Sequence, residues 1–238
     1  MALEAAEMKR IVAENAVDTY VKDKMNVGLG TGSTAYYAIK RIGQLVNENG
    51  YDLTCVATSV QSEKLARECG IRVVDIDEVD KLDVTIDGAD EIDPKMNLIK
   101  GLGGALLREK IVAAATVQEI IIADGSKIVE KLGTKAPLPV EVLRFGHEHT
   151  MNALRMQRCD PVLRMKDGAP FVTDGGNYIY DCRFPEGINN PYFLESRFDV
   201  IPGVVENGLF LNTAFEAIVC DPEGNVSKCS ERFAEKTE

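Results

Sequence analysis

The sequence has few of the residues that bind transition metals or build disulfide frameworks. It holds two histidines, both in the segment GHEH, and no two of its six cysteines form a CxxC pair. A zinc site would therefore have few ligands, and free thiols in a reducing cytoplasm are the better interpretation of scattered cysteines. His147 and His149 would bind a metal only by facing one side of an extended segment, and a solvated loop is favoured there. We expect no metal ion.

Long apolar runs and an excess of positive charge are also missing. No run approaches the roughly 20 apolar residues that a membrane-spanning helix needs. The amino-terminal MALEAAEMKRIVAENAV carries charges at helical spacing, unlike a secretory signal. The net charge of −11 argues against a nucleic-acid partner, which needs clustered Lys and Arg. A small anionic ligand remains compatible, because it needs only a local positive pocket.

Strands alternate with helices through the first half of the chain. Residues 4–22 have the apolar spacing of an amphipathic helix. The segments NVGL, LTCVATS, RVVDID, LDVTIDGAD and EIIIADGS then predict strands, and AYYAIKRIGQLVNENG, VQSEKLARECG and GALLREKIVAAATV predict helices. Short loops between alternating elements predict a doubly wound α/β fold, in which helices cover both faces of a mostly parallel sheet.

The pattern changes near GTKAPLPVEVL, and residues 133–205 are predicted to form a smaller α+β domain. HTMNALRMQR and NNPYFLESRFDVIPG are expected to be helices. Residues 161–184 are expected to form antiparallel strands with turns at Asp167–Gly168 and at residues 174–176. Strands around a turn at residues 222–224 then complete the first domain, predicted to comprise residues 1–132 and 206–238. The charged terminal SERFAEKTE is expected to fray.

The segment GLGTGST (residues 28–34) stands at a strand-to-helix junction and predicts an anion site. Glycines let the backbone turn tightly, hydroxyls follow at Thr31, Ser33 and Thr34, and the next helix directs free N–H groups outward. A phosphate is the expected ligand, and a plain capped turn is the alternative. A dinucleotide is disfavoured because the glycines are spaced GxGxG and the next strand ends without an acid. A P-loop is excluded because no GK[ST] follows.

Five acids crowd the segment DVTIDGADEID, at the end of a predicted strand: Asp83, Asp87, Asp90, Glu91 and Asp93. Open α/β sheets bind ligands at this end of their strands. The buried-strand residues directly before Asp87 should carry its side chain to the sheet edge. A solvated acidic loop is the alternative, and the spacing fits neither a calcium loop nor an aspartate-nucleophile phosphatase. Carboxylates that hydrogen-bond substrate hydroxyls fit better.

The segment KGLGGALLREK joins a lysine, three glycines and an acid. The N–H groups after Lys100 can cradle developing negative charge. Glu109 falls about two turns into the following helix among apolar neighbours, so burial should raise its pKa toward the value useful for a general base. An exposed or ion-paired acid is the alternative. With an anion site and no redox cofactor motif, this set suits proton abstraction beside a carbonyl of a sugar phosphate.

Six blocks in order resemble the type A ribose-5-phosphate isomerases: GLGTGST, TSVQSEKLARECGI, DGADEID, KGLGGALLREK, ADGSK and PLPVEV. IPGVVENGLF extends the similarity toward the carboxyl terminus. The resemblance implies cofactor-independent interconversion of ribose 5-phosphate and ribulose 5-phosphate through an enediolate, in the cytoplasmic pentose phosphate pathway. It also implies a ferredoxin-like second domain and assembly as a homodimer or homotetramer.

The resemblance implies roles for individual residues. Glu109 would shuttle the proton between C1 and C2, and Asp87 would help to open the furanose ring. The remaining substrate contacts would come from Thr31, Gly32, Ser33 and Thr34 at the turn, from Gly88, Ala89 and Asp90, from Lys100, Gly101, Leu102 and Gly103 as oxyanion contacts, and from Lys127 and Lys9 as phosphate ligands. Leu102 stands where some family members have glycine. A leucine there argues that this position does not need backbone dihedral angles that only glycine adopts.

Two other classes remain as rivals. A sugar-phosphate sensor would bind ribose 5-phosphate unchanged, but no helix-turn-helix segment precedes the first domain. A metal-dependent phosphatase would release phosphate and would lose its activity in a chelator.

Overall fold

The computed structural model describes residues 3–229, so the fraying predicted for SERFAEKTE (residues 230–238) lies outside the described residues. The helices in this range are α1 (Ala5–Tyr20), α2 (Ala35–Asn49), α3 (Val60–Glu68), α4 (Leu106–Ala114), α5 (His147–Arg155) and α6 (Pro191–Phe198). The strands are β1 (Asn26–Leu29), β2 (Thr54–Ala57), β3 (Leu82–Gly88), β4 (Glu91–Ile92), β5 (Leu98–Ile99), β6 (Thr116–Asp124), β7 (Leu138–Val142), β8 (Asp160–Leu163), β9 (Met165–Lys166), β10 (Ala169–Pro170), β11 (Tyr178–Arg183), β12 (Val204–Asn207), β13 (Leu209–Phe210), β14 (Ala214–Cys220) and β15 (Val226–Cys229). No helix in the described range is long and apolar enough to cross a membrane.

The chain divides into two compact units. The first comprises the described residues of Met1–Ala89, Arg108–Lys127 and Thr213–Glu238, and the second comprises Asp90–Leu107 and Ile128–Asn212. The predicted division, 1–132 plus 206–238 against 133–205, differs from these units in three segments, residues 90–107, 128–132 and 206–212. The largest difference arises because β4 and β5 pair with β13 in a separate small sheet. Two-residue strands are too short to produce a sequence pattern.

The first unit is built on one mostly parallel sheet, in the order β15-β14-β6-β3-β1-β2. All neighbouring pairs in it are parallel except β14 and β15. The chain passes from β1 to β2 on one side and returns to β3 on the other side of β1. This reversal is the switch point at which open α/β sheets bind ligands, and the predicted α/β fold is confirmed.

Helices cover both faces of this sheet. Cys55 and Val56 are neighbours in β2, so their side chains point to opposite faces. Cys55 lies in the core formed with α1 and α2, whereas Val56 packs in a separate cluster that contains Val112 of α4. Gly50, in the left-handed conformation, ends α2 as the sequence predicts.

The strand predicted for RVVDID does not form. Val73 makes a single isolated bridge with Cys55, and the chain then enters a short 3₁₀ turn at Ile76–Glu78. The Asp75 carboxylate accepts the N–H of Asp77 at 3.1 Å, and the Glu78 carboxylate accepts the N–H of Asp75 at 3.0 Å. This reciprocal capping box stabilises the turn in place of a longer strand.

The second unit contains a β-α-β-β-α-β arrangement of β7, α5, β8, β11, α6 and β12. Its antiparallel sheet has the order β12-β7-β11-β8, which is 4-1-3-2 when these strands are numbered along the chain. The ferredoxin-like prediction is thereby confirmed. Asp167 and Gly168, with φ of 52° and 81°, form the predicted turn between β9 and β10.

The two histidines lie in the first turn of α5, not in an extended segment or a loop. Residues two positions apart on a helix point about 200° apart, so His147 and His149 cannot face one ion together. The Nδ1 atom of His147 lies 2.8 Å from the hydroxyl of Tyr180. Among the described residues, no group of three His, Cys, Asp or Glu side chains could hold a metal ion.

Candidate active site

The ends of β1 and β3 lie side by side at the switch point. Leu29 pairs with Ile86, and the N–H of Gly30 donates to the carbonyl of Ile86 at 3.0 Å. A Cβ atom on Gly30 would stand 2.2 Å from Oδ1 of Asp87. Glycine is therefore needed at position 30 because the Asp87 carboxylate occupies the space that a side chain would fill.

The glycine turn after β1 has the geometry of an anion site. Gly32 has a φ of +107° with nothing within 4 Å of a hypothetical Cβ, and both Gly32 and Ser33 are exposed. Within residues 3–229 the Thr34 side chain makes no capping hydrogen bond at the start of α2. The Nζ atom of Lys9 reaches across from α1 to 3.0 Å from the Ser33 hydroxyl. The ammonium of Lys9 therefore lies beside the amino terminus of α2, where the sequence predicts an anion site.

The half-buried Thr31 side chain has its hydroxyl in a cluster of neighbouring hydroxyls, a contact that the sequence did not predict. Its Oγ1 lies 2.7 Å from the Thr58 hydroxyl, 2.8 Å from that of Ser59 and 3.2 Å from that of Ser62. Ser62 in turn donates to the carbonyl of Gly30 at 2.7 Å. This hydroxyl cluster ties the glycine turn to the start of α3. Sequence reasoning missed it, although the hydroxyl-rich TSVQS was its visible signal.

Asp87 lies at the end of β3 with 1% of its surface exposed. Its Oδ1 atom accepts the N–H of Thr31 at 3.0 Å and the N–H of Gly88 at 2.7 Å. Gly88 and Ala89 follow, half-buried, at the strand end. The buried strand therefore delivers Asp87 to the edge as predicted, and two backbone amides hold one of its oxygens there.

Lys127 follows β6, the neighbour of β3 in the sheet. Gly88 pairs with Ile122, so β6 ends at the same edge as β3. The chain then turns through the 3₁₀ segment Gly125–Lys127, where Oδ1 of Asp124 accepts the N–H of Ser126 at 3.0 Å. The half-buried Lys127 thus stands at the carboxyl edge, as the sequence predicts.

Glu109 occupies the first turn of α4, and the predicted position two turns into the helix is wrong. The glycines before it form an irregular turn, so the helix begins only at Leu106. The Glu109 side chain is buried, with 5% exposed, whereas the neighbouring Arg108 is exposed. Ala115, just after α4, accepts the N–H of Leu82 at the start of β3. Glu109 precedes this contact by six residues, which is about 9 Å of helical rise.

Lys100, in the second unit, is almost fully buried, with 2% exposed. Its N–H donates to the carbonyl of Gly208 at 2.9 Å, and its Nζ atom lies 5.3 Å from the centre of the Phe210 ring. A buried ammonium is costly unless its surroundings compensate the charge, so such a lysine is typical of functional sites.

The loop after Lys100 is held in an unusual conformation by its glycines. Gly101 and Gly104 have φ of +98° and +85°, and the N–H of Gly104 donates to the carbonyl of Gly101. Leu102 is not among the described non-glycine residues with positive φ, so the side chain is compatible with its backbone. The N–H of Leu102 donates to Oδ2 of Asp90 at 2.9 Å. Asp90 therefore supports this loop, and the Leu102 amide already has an acceptor.

The first unit is thus an open α/β domain of the class that binds small anionic ligands at a switch point. The model of the ribose 5-phosphate isomerase A (phosphoriboisomerase A) family matches residues 54–224. A ribose-5-phosphate isomerase A of Bacillus mycoides is 47% identical over 91% of this chain and 97% of its own length. The chain belongs to the ribose 5-phosphate isomerase A family.

Solved structures show the same relationship. The ribose 5-phosphate isomerase from Plasmodium falciparum has a TM-score of 0.92 and 39% identity, over 94% of this chain and 98% of that one. A D-ribose-5-phosphate isomerase in complex with phospho-erythronic acid has the same TM-score and identity, over 96% of this chain and 100% of that one.

Proposed function

We propose that this chain interconverts D-ribose 5-phosphate and D-ribulose 5-phosphate, as its family membership indicates. The observation that carries the proposal is a buried carboxylate, Glu109, in the same unit as a lysine-lined glycine turn. Such a pair supplies a base and a phosphate anchor. The phospho-erythronic acid bound to a relative is itself a phosphorylated sugar acid, which supports the substrate class.

The phosphate would bind at the glycine turn. Gly32, Ser33 and Thr34 present amides and hydroxyls at the start of α2, and Lys9 and Lys127 supply positive charge. Thr31 would act by holding the turn through its buried hydroxyl cluster. Asp87, held in place by two backbone amides, would bind a sugar hydroxyl and assist ring opening.

Catalysis would proceed on the open-chain sugar without a cofactor. Glu109 would remove the proton from C2 of the aldose, forming an enediolate, and return it to C1, while a hydroxyl proton moves from O2 to O1. Lys100, together with the N–H groups of Gly101 and Gly103, would stabilise the negative charge of the enediolate, and Leu102 would contribute by its N–H bond to Asp90, which supports the loop. Gly88, Ala89 and Asp90 would complete the hydroxyl contacts.

A coupled assay for ribulose 5-phosphate tests this proposal directly. Purified protein with ribose 5-phosphate in EDTA should form ribulose 5-phosphate at a rate proportional to enzyme concentration. Binding without conversion would indicate a sensor. Release of inorganic phosphate, abolished by EDTA, would indicate a metal-dependent phosphatase.

We further propose assembly as a homodimer or homotetramer. Large apolar side chains are exposed on the second unit, including Phe145 at 95% and Val200 at 70%. Burial in a partner would stabilise such residues. Light scattering coupled to size exclusion would measure the mass, and a 26.1 kDa monomer would contradict the proposal. Six free thiols also suit a reducing compartment, which supports work in the cytoplasmic pentose phosphate pathway.

A further inference from the structure

The guanidinium of Arg164 binds the loop that follows Lys100. Arg164 comes directly after β8, and its N–H donates to the carbonyl of Ile179 at 2.9 Å. Its Nη1 atom donates to the carbonyls of Gly101 and Leu102, both at 3.1 Å. One rigid side chain thus holds two consecutive carbonyls more than sixty residues away in sequence.

Asp181 of β11 fixes the orientation of this guanidinium. Nε of Arg164 donates to Oδ2 of Asp181 at 2.9 Å, and Nη2 donates to Oδ1 at 2.5 Å. The two side chains are 13% and 23% exposed. A two-pronged ion pair of this kind restricts rotation of both groups, and it also offsets the positive charge of Arg164. The effect of Arg164 on the loop is therefore mainly geometric.

Phe171 completes the support. Its N–H donates to the carbonyl of Arg164 at 2.9 Å, and its ring lies 5.8 Å from the guanidinium carbon. The same ring packs on Gly104, where a Cβ atom would stand 2.4 Å from the ring carbon Cζ. The glycine loop is thus held by Arg164 at one end and by an aromatic ring at the other.

Because the peptide group is planar, fixing the direction of its carbonyl also fixes the direction of its N–H. Within a trans peptide, the C=O and N–H point in opposite directions. Because Arg164 holds the carbonyl of Leu102, the N–H of Gly103 points to the opposite side of the loop. The N–H of Leu102 points there too, toward Asp90. Within residues 3–229, no hydrogen bond takes up the N–H of Gly103.

We infer that Arg164 is a positioning residue that fixes the direction of the Gly103 N–H, one of the oxyanion donors of the proposed function, with Asp181 and Phe171 holding Arg164. The inference rests on the proposed isomerase function and adds to it a set of residues that do not touch the substrate. Pre-aligned amide donors accelerate reactions because they need no reorganisation as charge develops.

Steady-state kinetics of Arg164→Lys test the inference, with Arg155→Lys, an exposed arginine on α5, as the matched control. Lysine keeps the charge, but its three N–H donors cannot replace the four hydrogen bonds that Arg164 makes to Asp181 and the two carbonyls. We expect kcat to fall about 10-fold to 100-fold, with KM within twofold of the wild-type value. Deleting an oxyanion donor lowers kcat by about 10²-fold to 10³-fold, and a misaligned donor should cause part of that loss. The control should retain the wild-type kcat.

Inhibitor binding separates positioning from a loss of stability. Phospho-erythronic acid carries a carboxylate where the enediolate develops charge, so its affinity should fall in step with kcat/KM. Inhibition by inorganic phosphate should not change. Asp181→Asn provides a second variant, expected to show the same split with a smaller loss, and thermal melts report the folded fraction of each protein.

Wild-type kcat per folded molecule in both variants would overturn the inference, as would equal losses of affinity for phosphate and for phospho-erythronic acid. These results differ from failure of the proposed function, in which the wild-type protein itself would not convert ribose 5-phosphate.

Discussion

Replacing Glu109 with glutamine removes the proposed base while keeping the size of the side chain. The carboxylate is only 5% exposed in the first turn of α4, so the site tolerates little change of volume. An amide occupies the same space and costs less to bury than a charged carboxylate. We therefore expect Glu109→Gln to fold normally and to bind ribose 5-phosphate, with the loss confined to turnover.

The size of the loss follows from burial. A positioned general base contributes about 10²-fold to 10⁴-fold, which is about 2.7–5.5 kcal/mol of transition-state stabilisation. Because Glu109 is shielded from solvent, bulk water has poor access to act as a substitute base. We expect kcat to fall by at least about 10²-fold, while KM stays within a few-fold of the wild-type value.

The assay compares initial rates of ribulose 5-phosphate formation at equal concentrations of folded protein. Glu141→Gln is the matched control, because Glu141 is a buried carboxylate in the second unit that the proposed mechanism does not use. Its Oε1 accepts hydrogen bonds from Thr173 and Asn177, which a glutamine carbonyl can also accept. A Glu109→Gln variant with near wild-type turnover would refute the assignment of the base.

Three further predictions follow from individual contacts. Lys127→Ala should raise KM several-fold and leave kcat nearly unchanged, and steady-state kinetics showing the reverse would contradict a phosphate ligand. Gly30→Ala should displace the Asp87 carboxylate, lowering stability by about 1–3 kcal/mol in urea unfolding and reducing kcat; unchanged values would show that the close contact is unimportant. Burial is the main cause that raises the pKa of Glu141 above its ordinary value of 4.5. The folded state therefore binds more protons than the unfolded chain. The stabilisation that protonated Glu141 contributes at low pH is lost as the pH rises above 4.5. Glu141→Gln should therefore gain stability relative to wild type between pH 4 and pH 7, and a constant difference in urea midpoints would contradict this sign.

Local sequence patterns predicted most of the fold because they reflect local physics. Apolar periodicity placed the helices and strands around the switch point, and the glycine turn marked the junction of β1 with α2. RVVDID failed because its composition fits a strand, whereas the reciprocal caps of Asp75 and Glu78 stabilise a turn. The strands β4 and β5 are too short to have a period.

The site shows a similar limit. Asp87 and Lys127 lie at strand ends, where the alternation of elements predicts them. The inward direction of the Thr31 hydroxyl depends on where β2 meets α3, which no local pattern contains. The contact of Arg164 with the loop at Gly101 joins two segments that only the folded second unit brings together.

Isomerisation in deuterium oxide tests the central claim most directly. If Glu109 takes a proton from one carbon and returns it to the next, its exchange with solvent should place deuterium at C1 of ribulose 5-phosphate and at C2 of the recovered ribose 5-phosphate. Mass spectrometry and NMR would locate the label, and Glu109→Gln should slow its incorporation together with turnover. Full conversion by the wild-type protein with no deuterium at either carbon would contradict proton transfer through a carboxylate.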